Sequence, residues 1–248
     1  MFRRGIMHTD VLAIGAHPDD IELSCGGTIA KLVRQGHSVA LADITQGELG
    51  TRGTKHIRVR EAAEAARILG VSTRRNLQIP DGGILRNKAN LKKVITLIRE
   101  LRPTILIIPH GVERHPDHVH THELCREAWF YSGLQKLSTR FRGAPQEPYR
   151  PHHFFEFMQW HEFEPAFIVD ITDTFDLKME SIRAHASQFF NPRSTQRETR
   201  LSSPDFLHTI ETRCKYYGQK IGVKYGEAFL TNFSIGVRDL FDLQIIKG

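Results

Sequence analysis

Short apolar runs and stretches of helical periodicity alternate along the first half of the chain, the pattern of a parallel sheet covered by helices. Residues 11–16 read as a buried strand, 28–35 as a helix closed by Gly36, and 38–44 as the next strand. An Ala-rich helix over 60–69 ends at Gly70, and another over 91–101 is broken by Pro103 before the apolar strand 104–108. A helix over 117–131 follows, and the order is read as βαβαβαβα, although no apolar run marks its third strand. This predicts an α/β fold: a Rossmann-like, mostly parallel sheet with helices on both faces and its ligand site at the carboxyl ends of the strands.

Beyond about residue 140 the texture changes to a proline-bearing loop and an aromatic strand, HHFFEF, read as a lid or an oligomer surface. A strand over 167–171, helices over 175–186 and 204–221, and a polar, mobile stretch over 191–203 follow. The length suits a single domain spanning 1–248, with 1–9 as a loose N-terminal extension.

Charge narrows the function only slightly. The 34 Lys and Arg residues exceed the 28 Asp and Glu residues by six, but they are spread along the chain with acids between them. No basic stripe interleaved with aromatic residues argues for nucleic acid, and an anionic small substrate accounts for the balance as well. No apolar run is long enough for a membrane helix, so a cytoplasmic protein is expected. The three cysteines lack CxxC spacing and are expected as buried free thiols.

Chemistry concentrates at two strand ends. The first strand runs into Gly15-Ala16-His17-Pro18-Asp19-Asp20, which puts an imidazole and two carboxylates where open α/β sheets bind ligands. After the 104–108 strand, five of the fourteen histidines fall between His110 and His122. Strands 1 and 4 of such sheets are commonly neighbours, so the clusters converge on one cleft and offer His, Asp and His to a divalent metal with a position left for water. Spacing alone leaves the histidines open: His118 with His122, or His115 with His118, would serve. His120 and His122 read more readily as ordinary surface residues than as ligands.

The motifs AHPDD, GGTIAKLVRQG, TQGELGTRGT, REAAEAARILGV, PDGGI, RHPDH, ASQFF and YGEAF together resemble the zinc-dependent PIG-L/LmbE-like N-deacetylases. The resemblance runs from about Asp10 to Thr231 and is strongest to the branch that deacetylates N-acetylglucosaminyl L-malate in bacillithiol biosynthesis. It implies one Zn2+ per chain on His17, Asp20 and His118, Asp19 as general base, and a protonated His115 as electrostatic partner of the oxyanion. It also favours a homo-oligomer, trimeric or hexameric. Two His and one carboxylate suit Fe2+ or Mn2+ as well. Arg58 and Arg114 are the residues available for malate carboxylates, and Glu48 is placed to accept sugar hydroxyls. Other members often carry a tyrosine near the oxyanion, and the matching position here is Phe206; Tyr216, Tyr217 and Tyr225 are the possible substitutes. The alternatives are deacetylation of another N-acetylglucosamine conjugate, such as chitobiose or a glycan fragment, or an inert metal-dependent sugar-binding protein, against which Asp19 argues because pure binding needs no base.

Overall fold

A computed structural model describes residues 8–240. Four βα units come first: β1 (Val11–Gly15), α1 (Asp20–Arg34), β2 (Val39–Asp43), α2 (Lys55–Ile68), β3 (Thr73–Asn76), α3 (Lys88–Leu101), β4 (Ile105–Pro109) and α4 (Pro116–Ser132). A small hairpin, β5 (Arg140–Phe141) and β6 (Ala144–Pro145), leads to β7 (His153–Phe157), β8 (Phe167–Asp170), α5 (Phe175–Arg183), α6 (Phe206–Lys220) and β9 (Gly226–Leu230).

The main sheet has seven strands in the order β3-β2-β1-β4-β7-β9-β8. The first five are mutually parallel, and β9 runs antiparallel to both neighbours. Val11 of β1 lies opposite Val39 on one side and Ile105 on the other. The chain therefore reverses its direction of travel across the sheet at β1 and β4, and their carboxyl ends open on one crevice. Alternate β1 side chains face opposite cores: Leu12 and Ile14 pack with Ile98 of α3 and Leu124 of α4, Val11 and Ala13 with Ile29 of α1 and Ala66 of α2. Each of these Val, Leu and Ile side chains taken out of water contributes roughly 1.5–3 kcal/mol.

Three elements depart from the apolar pattern for identifiable reasons. β3 reads Thr-Arg-Arg-Asn and carries no apolar run, because its Arg74 is a buried ion-pair partner: Nε and Nη2 donate to Asp43 at 2.9 and 2.8 Å, and Nη1 to Glu22. β9 holds a buried carboxylate, Glu227, in place of a core hydrocarbon. β7, read as a lid or oligomer surface, lies inside the sheet between β4 and β9, with Phe154 and Phe157 buried. Its rings are spent on the core and give no argument for an oligomer. Of the expected N-terminal extension only His8 and Thr9 lie within the described residues, and Thr9 is buried with its N–H donating to Leu101 O at 2.9 Å. Cys25, Cys125 and Cys214 are free and buried, as expected.

Helix α1 starts eight residues earlier than its periodicity suggests, because it is broken at Cys25 (φ −133°, ψ 21°). A buried ion pair fills the break. Glu227 accepts from Gly27 N at 3.0 Å and Thr28 N at 2.7 Å, so it caps the second segment. Lys178 donates to Glu22 O at 3.0 Å and Leu23 O at 3.1 Å, which closes the first, and meets Glu227 at 2.6 Å. Each charge thus faces the end of a helix whose partial charge is opposite. Gly27 lets this segment pack directly on Ile171, since a Cβ there would stand 2.7 Å from Ile171 Cδ1.

Removing Glu227 should leave a buried ammonium and two backbone N–H groups without partners, and removing Lys178 a buried carboxylate and the carbonyl of Glu22, since Leu23 O keeps Arg213. Glu227→Ala and Lys178→Met are each expected to cost about 3 to 5 kcal/mol in urea unfolding. A loss below about 1 kcal/mol in both would mean that the helix break is held by packing alone.

Candidate active site

The turn after β1 is tight, with the N–H groups of Asp19 and Asp20 both directed at His17 O, at 2.9 and 3.3 Å. Asp20 folds back so that Oδ2 accepts from His17 N at 2.8 Å, and its other oxygen is aimed outward. Opposite, His115 is the N-cap of α4: Nδ1 accepts from Asp117 N at 3.2 Å, and Pro116 at the first helical position stiffens the entry. His118 follows within the first turn.

These turns bring the predicted groups together. Asp20 Oδ1 lies 3.2 Å from His118 Nε2, and Asp20 Oδ2 lies 3.6 Å from His17 Nδ1. Potential ligand atoms of His17, Asp20 and His118 all fall within 4.8 Å of one another. A second trio, His17, His115 and Asp117, meets the same distance, but its members are more committed: Asp117 Oδ2 accepts from Gly82 N at 2.8 Å and His115 Nδ1 is used as the cap. The far nitrogen of His17, Nε2, lies 3.1 Å from Asp81 Oδ1 and 3.6 Å from Asp117 Oδ2. That leaves Nδ1 facing Asp20, the arrangement in which a carboxylate orients a metal-binding imidazole. Two imidazoles and one carboxylate, convergent with His17 and Asp20 buried and His118 partly so, fit a divalent ion of the zinc type.

Protonation follows from this crowding. Burial works against charge on His17, but Asp117, Asp20 and Asp81 together raise it well above the ordinary imidazole range. His118, also penalised by burial, is pushed up to about 9 by Asp20 and Glu113. Asp20 is correspondingly held well below the usual carboxylate range by His118 and His17, despite its burial. His115 moves the other way, down, through burial and the positive charge of His17 and His118. The expected protonated His115 is thus disfavoured. A neutral ring with Nδ1 accepting the cap bond carries its proton on Nε2, so it still offers a donor.

The remaining predicted residues divide. Asp19 Oδ2 lies 3.3 Å from Arg58 Nη2. Arg58 is buried and also donates through Nη1 to Gly47 O at 3.1 Å, so its guanidinium is engaged by the chain's own groups rather than held out for malate. Gly47 has φ +64°, and a Cβ there would stand 1.8 Å from Arg58 Nη1, so a larger residue would be strained and would push the guanidinium out of this position. Glu48 is exposed, but its oxygens accept from Asp81 N at 3.0 Å and Gln46 N at 3.2 Å, which makes it a brace between two loops as well as a potential sugar acceptor. Arg114 is exposed. His122 turns Nδ1 to Pro109 O at 3.0 Å, away from the trio. Phe206 packs in an apolar cluster and stacks near Phe189, and Tyr225 stacks on Phe175 with its hydroxyl 3.3 Å from Glu211. Neither contributes to the trio.

Spacing did not single out Asp81, Asp117, Glu113 or Gln159. Gln159 Nε2 donates to Asp20 Oδ1 at 3.0 Å, and Glu113 Oε2 lies 3.9 Å from His118 Nδ1. The signals were present only as the Asp of PDGGI and of HPDH, and Gln159 has none, since its place depends on β7 being in the sheet.

The doubly wound sheet, with a base candidate, an N–H donor and a metal-fitting trio at its switch point, defines a hydrolytic enzyme. A family model described as PIG-L, GlcNAc-PI de-N-acetylase, matches residues 12–129, which include both clusters. The diacetylchitobiose deacetylase of Thermococcus kodakarensis is 32% identical over 88% of this chain and 80% of its own. The conserved protein TT1542 of Thermus thermophilus superposes with a TM-score of 0.83 at 34% identity, covering 93% of this chain and 98% of its own. A probable N-acetyl-alpha-D-glucosaminyl L-malate deacetylase 2 of Bacillus cereus is 28% identical over 73% of this chain and 84% of its own. The chain belongs to the PIG-L family, and it is an N-deacetylase. No helix among the described residues is long and apolar enough to cross a membrane.

Because His17 and His118 hold protons at neutral pH without a metal, binding an ion must displace them. Affinity for Zn2+ is expected to rise with pH at least until His118 gives up its proton at about 9. Calorimetry at pH 7 in buffers of different ionisation enthalpy should show about two protons released per ion. Release of none would show that the imidazoles are not ligands.

Proposed function

We propose that this chain is a single-domain, zinc-dependent deacetylase of N-acetylglucosaminyl L-malate, supplying glucosaminyl malate and acetate in bacillithiol biosynthesis. The observation that carries the metal and chemistry is the convergence of His17, Asp20 and His118 beside a fourth group, Asp19, that is buried but no part of the trio. The Bacillus cereus relative, whose name gives that substrate, supports the aglycone, as does the exposed Arg114 directly before the HPDH turn. A cytoplasmic location and a homo-oligomer belong to the same reading on family resemblance.

His17, Asp20 and His118 would hold the ion, which when bound would supply a Lewis acid at the amide carbonyl and acidify water there. Asp19 takes the proton of the attacking water, and its pairing with Arg58 fixes the carboxylate's direction. The amide oxygen gains charge as the carbonyl carbon becomes tetrahedral. His115, held by its cap bond with Nε2–H outward, donates to that oxygen; a positioned donor of this kind contributes about 3 to 4 kcal/mol. Asp19 then returns the proton to the leaving nitrogen, the C–N bond breaks, and acetate and the free amine remain.

A second reading, deacetylation of a neutral disaccharide, is favoured by the 32% identity to the diacetylchitobiose deacetylase. Acetate release from both substrates separates the two. Asp19→Asn should keep its metal and lose about 10²- to 10⁴-fold in kcat on whichever is used. Arg58→Gln should lose part of that, by freeing Asp19. Near-normal turnover of metal-loaded Asp19→Asn would remove Asp19 as the base.

A further inference from the structure

Arg58 was one of two arginines available for a dianionic aglycone, and its guanidinium is turned inward, on Asp19 and Gly47. Another arginine stands where it could take that place. Trp160 is exposed, and two guanidinium groups lie on its ring: Arg114 with its central carbon 5.6 Å from the indole centroid, and Arg200 at 3.6 Å. Both distances fall within the range of a cation–π contact, and both cations therefore share one small patch. Neither guanidinium has a carboxylate or carbonyl partner among the described residues, where Arg52, Arg58, Arg74, Arg99 and Arg213 are all engaged. Two forks of N–H donors with no internal acceptor, both drawn to one exposed ring, are suited to an anion from outside.

The patch is tied to the reacting centre by short covalent and hydrogen-bonded links. Gln159, next to Trp160, donates to Asp20, and its carbonyl accepts from Arg213 of α6. Glu113 accepts from the backbone N–H of Trp160 and of His161 through Oε1, and from Arg114 N at 3.0 Å through Oε2, while facing His118. One buried carboxylate thus places the ring and the first arginine together, adjacent to a predicted ligand. Arg200 comes from the polar segment before α6, far away in the chain.

We propose that Arg200 is a specificity-determining residue that, with Arg114 on the Trp160 ring, takes the two carboxylates of a dicarboxylate aglycone. This rests on the deacetylase reading above. The indole holds each guanidinium plane in a limited set of orientations, so less side-chain freedom is lost when the anion arrives.

The test compares kcat/KM on N-acetylglucosaminyl malate and on methyl N-acetylglucosaminide, which has the same amide and no carboxylate, in metal-loaded wild type, Arg200→Gln, Arg200→Lys, Arg114→Gln and the double variant. The malate-to-methyl ratio is expected to fall about tenfold in Arg200→Gln, mainly through KM, and to recover only partly in Arg200→Lys, which keeps charge without the fork. The double variant should lose less than the product of the single losses, because the two residues serve one ligand. An unchanged ratio in Arg200→Gln, with wild type preferring the malate conjugate, overturns the role of Arg200 and leaves the deacetylase reading standing. Equal losses on both substrates would also overturn it, making Arg200 a scaffold residue. A wild type that hydrolyses the methyl glycoside as well as the malate conjugate removes the dicarboxylate reading, and this inference with it.

Discussion

The break in α1 at Cys25, filled by Lys178 and Glu227, is the constraint on which the site depends. The first segment of that helix begins at Asp20 and carries the carboxylates of the HPDD turn, so its axis decides where they point. A continuous helix would satisfy its own backbone and leave this axis to packing. Here the carbonyls of Glu22 and Leu23 are closed by an ammonium from α5 and a guanidinium from α6, and the N–H groups of Gly27 and Thr28 by a carboxylate from β9. Elements far along the chain thereby fix the orientation of the first turn. Neighbouring Glu22, completely buried, is held below the usual carboxylate range by Arg74 and His185 against the cost of its burial, which adds a second ionic tie beneath the same segment.

The legible part of this protein was written in local patterns. Apolar runs at 11–16, 38–44 and 104–108 marked the buried parallel strands within a residue or so, and the two His-Asp turns could be recognised because they follow those strands directly. The illegible part consists of elements whose residues are polar for tertiary reasons. Arg74 makes β3 look like a loop, and Glu227 does the same for β9, because each charge finds its partner on another element. Arg58 illustrates the same limit within the site: a guanidinium fork is suited to a substrate carboxylate or to Asp19, and only the fold decides which it meets. The protonation of His115 likewise depends on neighbours, here His17 and His118, that spacing brings near without showing the sign of the effect.

Orientation at the site is distributed over a carboxylate shell. His17 is flanked by Asp81 and Asp117, His118 faces Glu113, and Asp20 is bonded by Gln159. Each of these carboxylates or amides also holds a backbone group of a loop or lies in one: Asp117 bonds Gly82, Asp81 bonds Leu49, and Glu113 bonds the 160–161 turn. Loop position and imidazole orientation are therefore not independent variables in this protein.

The predicted ligands sit at the ends of β1 and on the first turn of α4, whereas Trp160 and Arg200 lie in connecting segments that belong to no strand or helix. Connecting segments tolerate replacement far better than strand ends, where a shifted backbone would disturb the sheet. With the aglycone read by Trp160 and Arg200 as proposed, a lineage carrying this scaffold can exchange one aglycone for another by single replacements in those segments, without rebuilding the hydrolytic centre. Divergence of substrate range among its descendants needs no change in the residues that carry the chemistry.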